Sequence, residues 1–347
     1  GLPTHYSKKQ DRALIMPNLG CNGIKTKIIN RKMSCGERPQ GTRLHSEVTL
    51  YYVVTTLPCC LFLFINVTML LTLRSKAVFR ETSRYILLFN LLFSDTVQLA
   101  QNQIMLLLSA GKPLVYPLCI ALTVFSFFSH NASILTLVLM CLERYIAVCY
   151  PLRHAAIVTI KNTGEAVCVL WTFSLLIVLV EVVLMLNVPF KDLPNKQLKE
   201  FCGRENLYPD QVAEMYHKVF TYFLFTYAGV TVTFSYIAIM LAARSASTDK
   251  VSARKARKTL LLHLMQLGLS MSATVQTSLL ILIFQSIERS TATAVQVFLY
   301  ILLSLLPKCL SSLIYGLRDK TIRPVLMLNL SCGRTPEHWG GDPKITA

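Results

Sequence analysis

Residues 115–141, VYPLCIALTVFSFFSHNASILTLVLMC, run for 27 positions without a formal charge. Few folds accept such a stretch. A helix of that length rises about 1.5 Å per residue and exceeds the roughly 30 Å hydrocarbon core of a bilayer. In lipid the backbone groups must be paired within the segment, which leaves helices or closed barrels. Barrel strands are short and alternate in polarity. This run is continuous, so it reads as a membrane-spanning helix.

It is one of seven such blocks, at about 49–73, 84–109, 117–147, 162–188, 216–243, 257–284 and 293–316. The whole chain agrees: 53% of its 347 residues are hydrophobic and 15% charged, against about 25% charged in soluble domains. Mean hydropathy is +0.49. The expected fold class is therefore all-α, a seven-transmembrane helix bundle. Residues 1–48 form a leader expected to be extracellular, without structure of its own or foreign to the bundle. Residues 49–316 form the bundle, and 317–347 a cytoplasmic tail. No secretory signal core is visible in the leader, so the first span is expected to act as its own insertion signal.

Net charge is +17, but the basic residues lie between the blocks rather than in a nucleic-acid motif, which argues against nucleic acid as a partner. Arg74, Lys76, Arg80 and Arg84 separate spans one and two. Arg254, Lys255, Arg257 and Lys258 precede span six, and Arg318, Lys320 and Arg323 follow span seven. The alternate loops are sparser in base. The positive-inside bias then puts the tail in the cytoplasm and the N-terminus outside in a multi-pass protein. The leader opposes this, with nine Lys/Arg and three acids, while the other loops agree with one another. Eleven cysteines in no metal-like spacing argue against a metal site. Cys59 and Cys60 read as packing within span one, and no cofactor is implied.

Charges within spans mark functional positions by default. Away from the span ends they are Asp95, Glu181 and Lys308, with Glu143 and Arg144 closing span three. Thr123, Ser126, His130 and Ser133 share one face of span three; Asp95, Gln98 and Asn102 share one of span two; Thr293, Gln296, Tyr300 and Ser304 share one of span seven. These stripes point to a polar interior, although any single member can serve as interhelical hydrogen-bond glue. Cys119 opens span three on the outer face, and the outer loop 189–215 holds Cys202. In an oxidising exterior a bridge between them is expected, with Cys21 and Cys35 as other partners.

In chain order, several motifs resemble those of rhodopsin-like G-protein-coupled receptors, and among them the fish odorant-receptor-like group. LERYIAVCYPLRH resembles the signature at the end of the third helix, with Glu143-Arg144-Tyr145 at its centre. FSYIAIM resembles the end of the fifth helix and LIYGLRDKTIRP the junction of the seventh with a short amphipathic eighth. Asn66, Asp95 in LLFSD, and Trp171 fall at anchor positions, and the likeness covers about 45–330.

The resemblance implies a receptor that binds a small odorant ligand and activates a heterotrimeric G protein, without enzyme activity. It implies that Glu143 holds Arg144 at rest, and that the freed Arg144 meets the G protein and Tyr236, with Tyr315 as the matching group on helix seven. It supports the Cys119–Cys202 pairing. Together with the polar stripes it implies a ligand pocket in the outer half, bounded by Asn102, Ser126, Phe127, His130, Glu181, Gln276 and Tyr300. A deeper polar pocket gathers Asn66, Asp95, Ser133, Ser304 and Lys308. In relatives the counterparts of Asp95 and Ser133 help to bind sodium. Here Lys308 is expected to pair with Asp95 in its place and to make the receptor insensitive to sodium; the alternative is a lysine that snorkels to the interface.

The chain also departs from the pattern. Ser311-Ser312 stands where an Asn-Pro is expected, with Pro307 as the nearest proline, and helix six lacks its aromatic switch, with Met271 near that place. A folded but non-signalling pseudo-receptor is therefore the alternative. A transporter is less favoured, since no internal repeat appears. A light receptor would need Lys308 about one turn nearer the outside.

Overall fold

The computed structural model describes residues 40–110, 116–186, 211–245 and 300–330 without interruption, and scattered positions between 258 and 299. Its helices are α1 (Gln40–Ser75), α2 (Ala77–Arg80), α3 (Ser83–Ala110), α4 (Tyr116–Cys149), α5 (Pro151–Ile157), α6 (Ile160–Leu186) and α7 (Gln211–Ser245), then a π-helical turn (Tyr300–Leu305), α8 (Leu306–Arg318) and α9 (Ile322–Leu330). There is no strand among the described residues. The sixth expected span, 257–284, lies largely outside them. Helix α1 begins at Gln40, earlier than the expected 49.

Four of these helices hold segments long and apolar enough to cross a bilayer: Tyr52–Ser75, Pro117–Cys149, Ile160–Leu184 and Met215–Ala242. Burial is arranged for lipid as the solvent. Leu57, Leu71, Val169, Val183, Val230 and Phe234 are more than half exposed, whereas Asn66, Thr72, Asp95, Thr136, Ser174 and Ser235 are fully buried. Lipid gives no reward for hiding leucine, so polar contacts and close packing hold the helices together. The result is an all-α, multi-pass membrane bundle.

Helix α4 lies at the centre and packs on α3, α6 and α7, while α3 also meets α1 and α8. One core joins Met69 and Leu73 of α1, Leu88 and Leu91 of α3, and Leu137 and Met140 of α4. A second joins Ile134 and Val138 of α4 to Phe225 and Val232 of α7. A polar staple links three helices. Trp171 Nε1 donates to Asn90 Oδ1 at 2.7 Å, and Asn90 Nδ2 donates to Thr136 Oγ1 at 2.7 Å. Trp171, an anchor by resemblance, thus sits in an interhelical bond worth about 0.6 kcal/mol on average.

Three local details add to the sequence reading. Pro151 starts the seven-residue α5. Proline ends α4 because it has no N–H to give, yet its fixed φ suits a first helical turn. Cys59 is buried and its thiol faces the Leu99 carbonyl at 3.6 Å, whereas Cys60 is exposed and does not pack inward. Near Pro307 the helix widens: Leu306 N–H bonds the Ile301 carbonyl, five residues back. A π-turn of this kind re-satisfies backbone groups next to a proline.

After α8 the chain turns at Asp319, which acts as a clasp. Its Oδ1 accepts the N–H groups of Thr321 (2.9 Å) and Ile322 (3.3 Å), capping α9. Its Oδ2 lies 3.2 Å from Arg84 Nη2, and Tyr85 donates to Oδ1 at 3.3 Å. The Arg84 guanidinium sits 5.3 Å from the Tyr315 ring centroid. α9 then docks closely: a Cβ at Gly316 would stand 2.6 Å from Leu326 Cδ2. Asn329 Nδ2 donates to Thr72 Oγ1 at 2.8 Å. Asp319→Ala removes a cap worth about 1 kcal/mol and the buried partner of Arg84. Faster amide exchange over 320–330 and lower surface abundance are expected, while Asp319→Asn should keep the cap and lose the ion pair. Unchanged exchange in the alanine variant would refute the clasp.

Candidate functional site

The buried polar groups form three centres. The first lies where α3, α4, α1 and α8 meet. Asp95 is fully buried. Its Oδ1 accepts Ser133 Oγ at 2.7 Å, and Lys308 Nζ stands 3.4 Å away. The Lys308 side chain is only 10% exposed, so it ends on the carboxylate rather than at an interface. Backbone contacts anchor it: Asn66 Nδ2 donates to the Lys308 carbonyl at 3.0 Å, and Ser312 Oγ donates to Asn66 Oδ1 at 2.5 Å. Ser312 thus fills a polar role at a position where the resemblance expected the proline of the Asn-Pro pair. Ser304 lies in the π-turn, about one helical turn before Lys308. Asp95 Oδ2 has no hydrogen-bond partner among the described residues.

The pairing has a physical cause. An isolated ammonium or carboxylate at bilayer depth is expensive, and each offers the other the cheapest remedy. The tethered ammonium faces Asp95 Oδ1, the contact expected in place of a sodium ion.

The second centre is at the end of α4. Glu143 Oε2 lies 3.1 Å from Arg144 Nε, and both side chains are at most 15% exposed. His154 of α5 brings its Nε2 to 3.7 Å from Glu143 Oε1. This third member was not foreseen, since nothing in the sequence says that α5 folds back toward Glu143. Tyr145 packs edge-on to Tyr150 at 5.8 Å and meets Phe234 at 6.0 Å. Tyr236 packs, partly buried, against the α4–α7 core. Tyr315 is buried in the core shared by α1, α3 and α4.

The third centre is nearer the start of α4. Glu181 of α6 is 3% exposed, and its Oε1 lies 2.7 Å from His217 Nδ1 of α7. The Phe127 ring stacks on the His217 ring at 4.6 Å. His130 meets Phe225 at 5.8 Å, and the Ser126 carbonyl accepts Gln98 Nε2 at 3.3 Å. Gln101 Nε2 donates to the Leu122 carbonyl, which further joins α3 to α4. Asn102 is half-buried on α3. Tyr300 belongs to a different cluster, with Cys59, Leu99 and Leu305. The expected ligand set thus divides between the α4–α6–α7 side and the α1–α3 side. Gln276 lies outside the described residues. His217 was also missed, because a histidine beside Lys218 at a span's start reads as interfacial.

Cys119 is buried near the start of α4 and is not among the free thiols of the described residues. Cys202, Cys21 and Cys35 lie outside those residues, so the structure does not support the expected Cys119–Cys202 bridge. No group of three or more His, Cys, Asp or Glu side chains able to hold a metal occurs among the described residues.

Comparison with known proteins agrees with this architecture. The family model of the 7 transmembrane receptor (rhodopsin family) matches residues 66–315. Odorant receptor 131-2 of Danio rerio is 32% identical over 282 residues, covering 79% of this chain and 83% of that protein. Olfactory receptor 2A1/2A42 of Homo sapiens is 28% identical over 227 residues, covering 63% and 70%. Human olfactory receptor 2A12 is 27% identical over 197 residues, covering 55% and 61%. Members of this family are signalling receptors rather than enzymes. From residues 66–315, which carry all three buried centres, the chain belongs to the rhodopsin family of G-protein-coupled receptors, related to the olfactory receptors of fish and other vertebrates.

Proposed function

We propose that this chain is an odorant receptor of the plasma membrane, with seven spans, an extracellular N-terminus and a cytoplasmic tail. It binds a small ligand near the start of α4 and activates a heterotrimeric G protein at the end of α4. The observation that carries this reading is the Glu143–Arg144 contact of 3.1 Å at the end of the central helix. An ion-pair contact of this kind can hold the arginine in one state and release it in another. Ligand need only bind the released state better to shift the balance. Tyr236 and Tyr315 are the proposed partners of the released arginine, and Tyr145 packs beside it.

Ligand recognition is assigned to Asn102, Ser126, Phe127, His130, Glu181, Gln276 and Tyr300. The deeper pocket of Asn66, Asp95, Ser133, Ser304 and Lys308 transmits the change between helices. The test is a panel of water-borne odorants applied to cells expressing the chain, read as cAMP or calcium. A dose-dependent response absent from untransfected cells is expected. Silence across the panel, with normal surface abundance, would favour the non-signalling alternative.

A disulfide between Cys119 and Cys202 belongs to this reading, tying the 189–215 loop over the ligand pocket. Peptide mapping under non-reducing conditions should recover the two cysteines in one cross-linked fragment. Both recovered as free thiols would remove the bridge.

A further inference from the structure

The carboxylate of Glu181 is only half used. Its Oε1 meets His217 Nδ1 at 2.7 Å, while its Oε2 is buried with no hydrogen-bond partner among the described residues. An unsatisfied buried oxygen is costly, and a charged one more so. A clamp whose purpose was only to join α6 to α7 would be complete with one hydrogen bond and a capped second oxygen. The surroundings are apolar and aromatic. Phe127 covers the His217 ring, and Ile177 and Val178 lie buried on the same face of α6, four and three residues before Glu181.

A carboxylate oxygen accepts hydrogen bonds and gives none when ionised. The group that completes it is a donor, and a cationic donor also balances the charge. A neutral hydroxyl supplies the bond without the charge, and an anion supplies neither. We propose that Glu181 is the anchor for a protonated amine, and that the ligands of this receptor are small amines with an apolar or aromatic body. His217 acts as a positioning residue: it holds Oε1, so that Oε2 is left to face the ligand, and Phe127 holds His217. The inference rests on the receptor reading above and narrows its ligand class.

Paired probes test it, 2-phenylethylamine against 2-phenylethanol and isopentylamine against isopentanol, on the full chain. Binding is read as ligand-induced thermal stabilisation of the detergent-purified receptor, and signalling as cAMP in cells. The amines should bind at least about tenfold more tightly than their alcohols, the scale of a hydrogen bond to a charged group. Glu181→Gln should abolish that preference by bringing amine binding down to the level of the alcohols. His217→Phe should weaken amine binding and keep part of the preference, whereas a purely structural His217 would affect both probe classes alike. If Glu181→Gln does not reach the membrane, the amine–alcohol comparison on the unaltered chain decides. No amine preference there, or an unchanged preference in Glu181→Gln, overturns the proposal. Amine stabilisation without any signalling supports the proposal and counts against the receptor reading. Signalling driven by neutral or acidic ligands with amines inert sinks the proposal alone.

Discussion

Lys308→Ala is expected to destabilise the receptor by about 3–5 kcal/mol, the usual effect of removing one member of a buried ion pair. The loss follows from what remains. Asp95 would keep Ser133 as a donor, but its charge would lie fully buried without the ammonium 3.4 Å away. Asp95→Ala should do comparable harm by stranding Lys308. The double variant removes both charges and should be much less impaired than the sum of the two, since the members of one pair do not act independently. Surface abundance and thermal unfolding in detergent measure all three. Strictly additive losses would mean that the contact carries no coupling. Ligand potency in the unaltered receptor should also be the same in sodium and in choline buffers, because the lysine ammonium 3.4 Å from Asp95 is expected to take the place of a sodium ion. A sodium-dependent shift would show that it does not.

The parts legible in the sequence were those set by one helix at a time. Periodicity marked a polar face on α4, and composition singled out Asp95, Glu181 and Lys308, because charge in an apolar span is costly. The Asp95–Lys308 contact was reachable because both residues are long-range oddities that need each other. The contacts that escaped lie between helices whose azimuths the sequence does not state. His217 gave no hint that it would meet Glu181 across α6 and α7. His154 became a neighbour of Glu143 only because Pro151 starts α5 and turns it back. Asp319 carried a local signal, an aspartate before a short helix, but its bond to Arg84 depends on how α3 and α8 converge. The division of the expected ligand set, with Tyr300 apart from Phe127 and Glu181, has the same origin.

The second large effect concerns Arg144. Arg144→Ala should abolish ligand-stimulated G-protein activation while leaving surface abundance largely intact. The arginine is not part of the packed apolar core, and its nearest acid, Glu143, retains a neighbour in His154 at 3.7 Å. The bundle therefore loses one side of an ion pair at the end of α4, a smaller insult than stranding the fully buried Asp95. What disappears is the group proposed to meet the G protein when the Glu143 contact opens. Glu143→Gln should act oppositely and raise activity without ligand, because a neutral amide holds the guanidinium less strongly.

The most direct measurement compares agonist-driven G-protein activation, read as cAMP, in the unaltered receptor and in Arg144→Ala at matched surface abundance. A clear response in the first and none in the second is the expected result. A normal response from Arg144→Ala would contradict the mechanism.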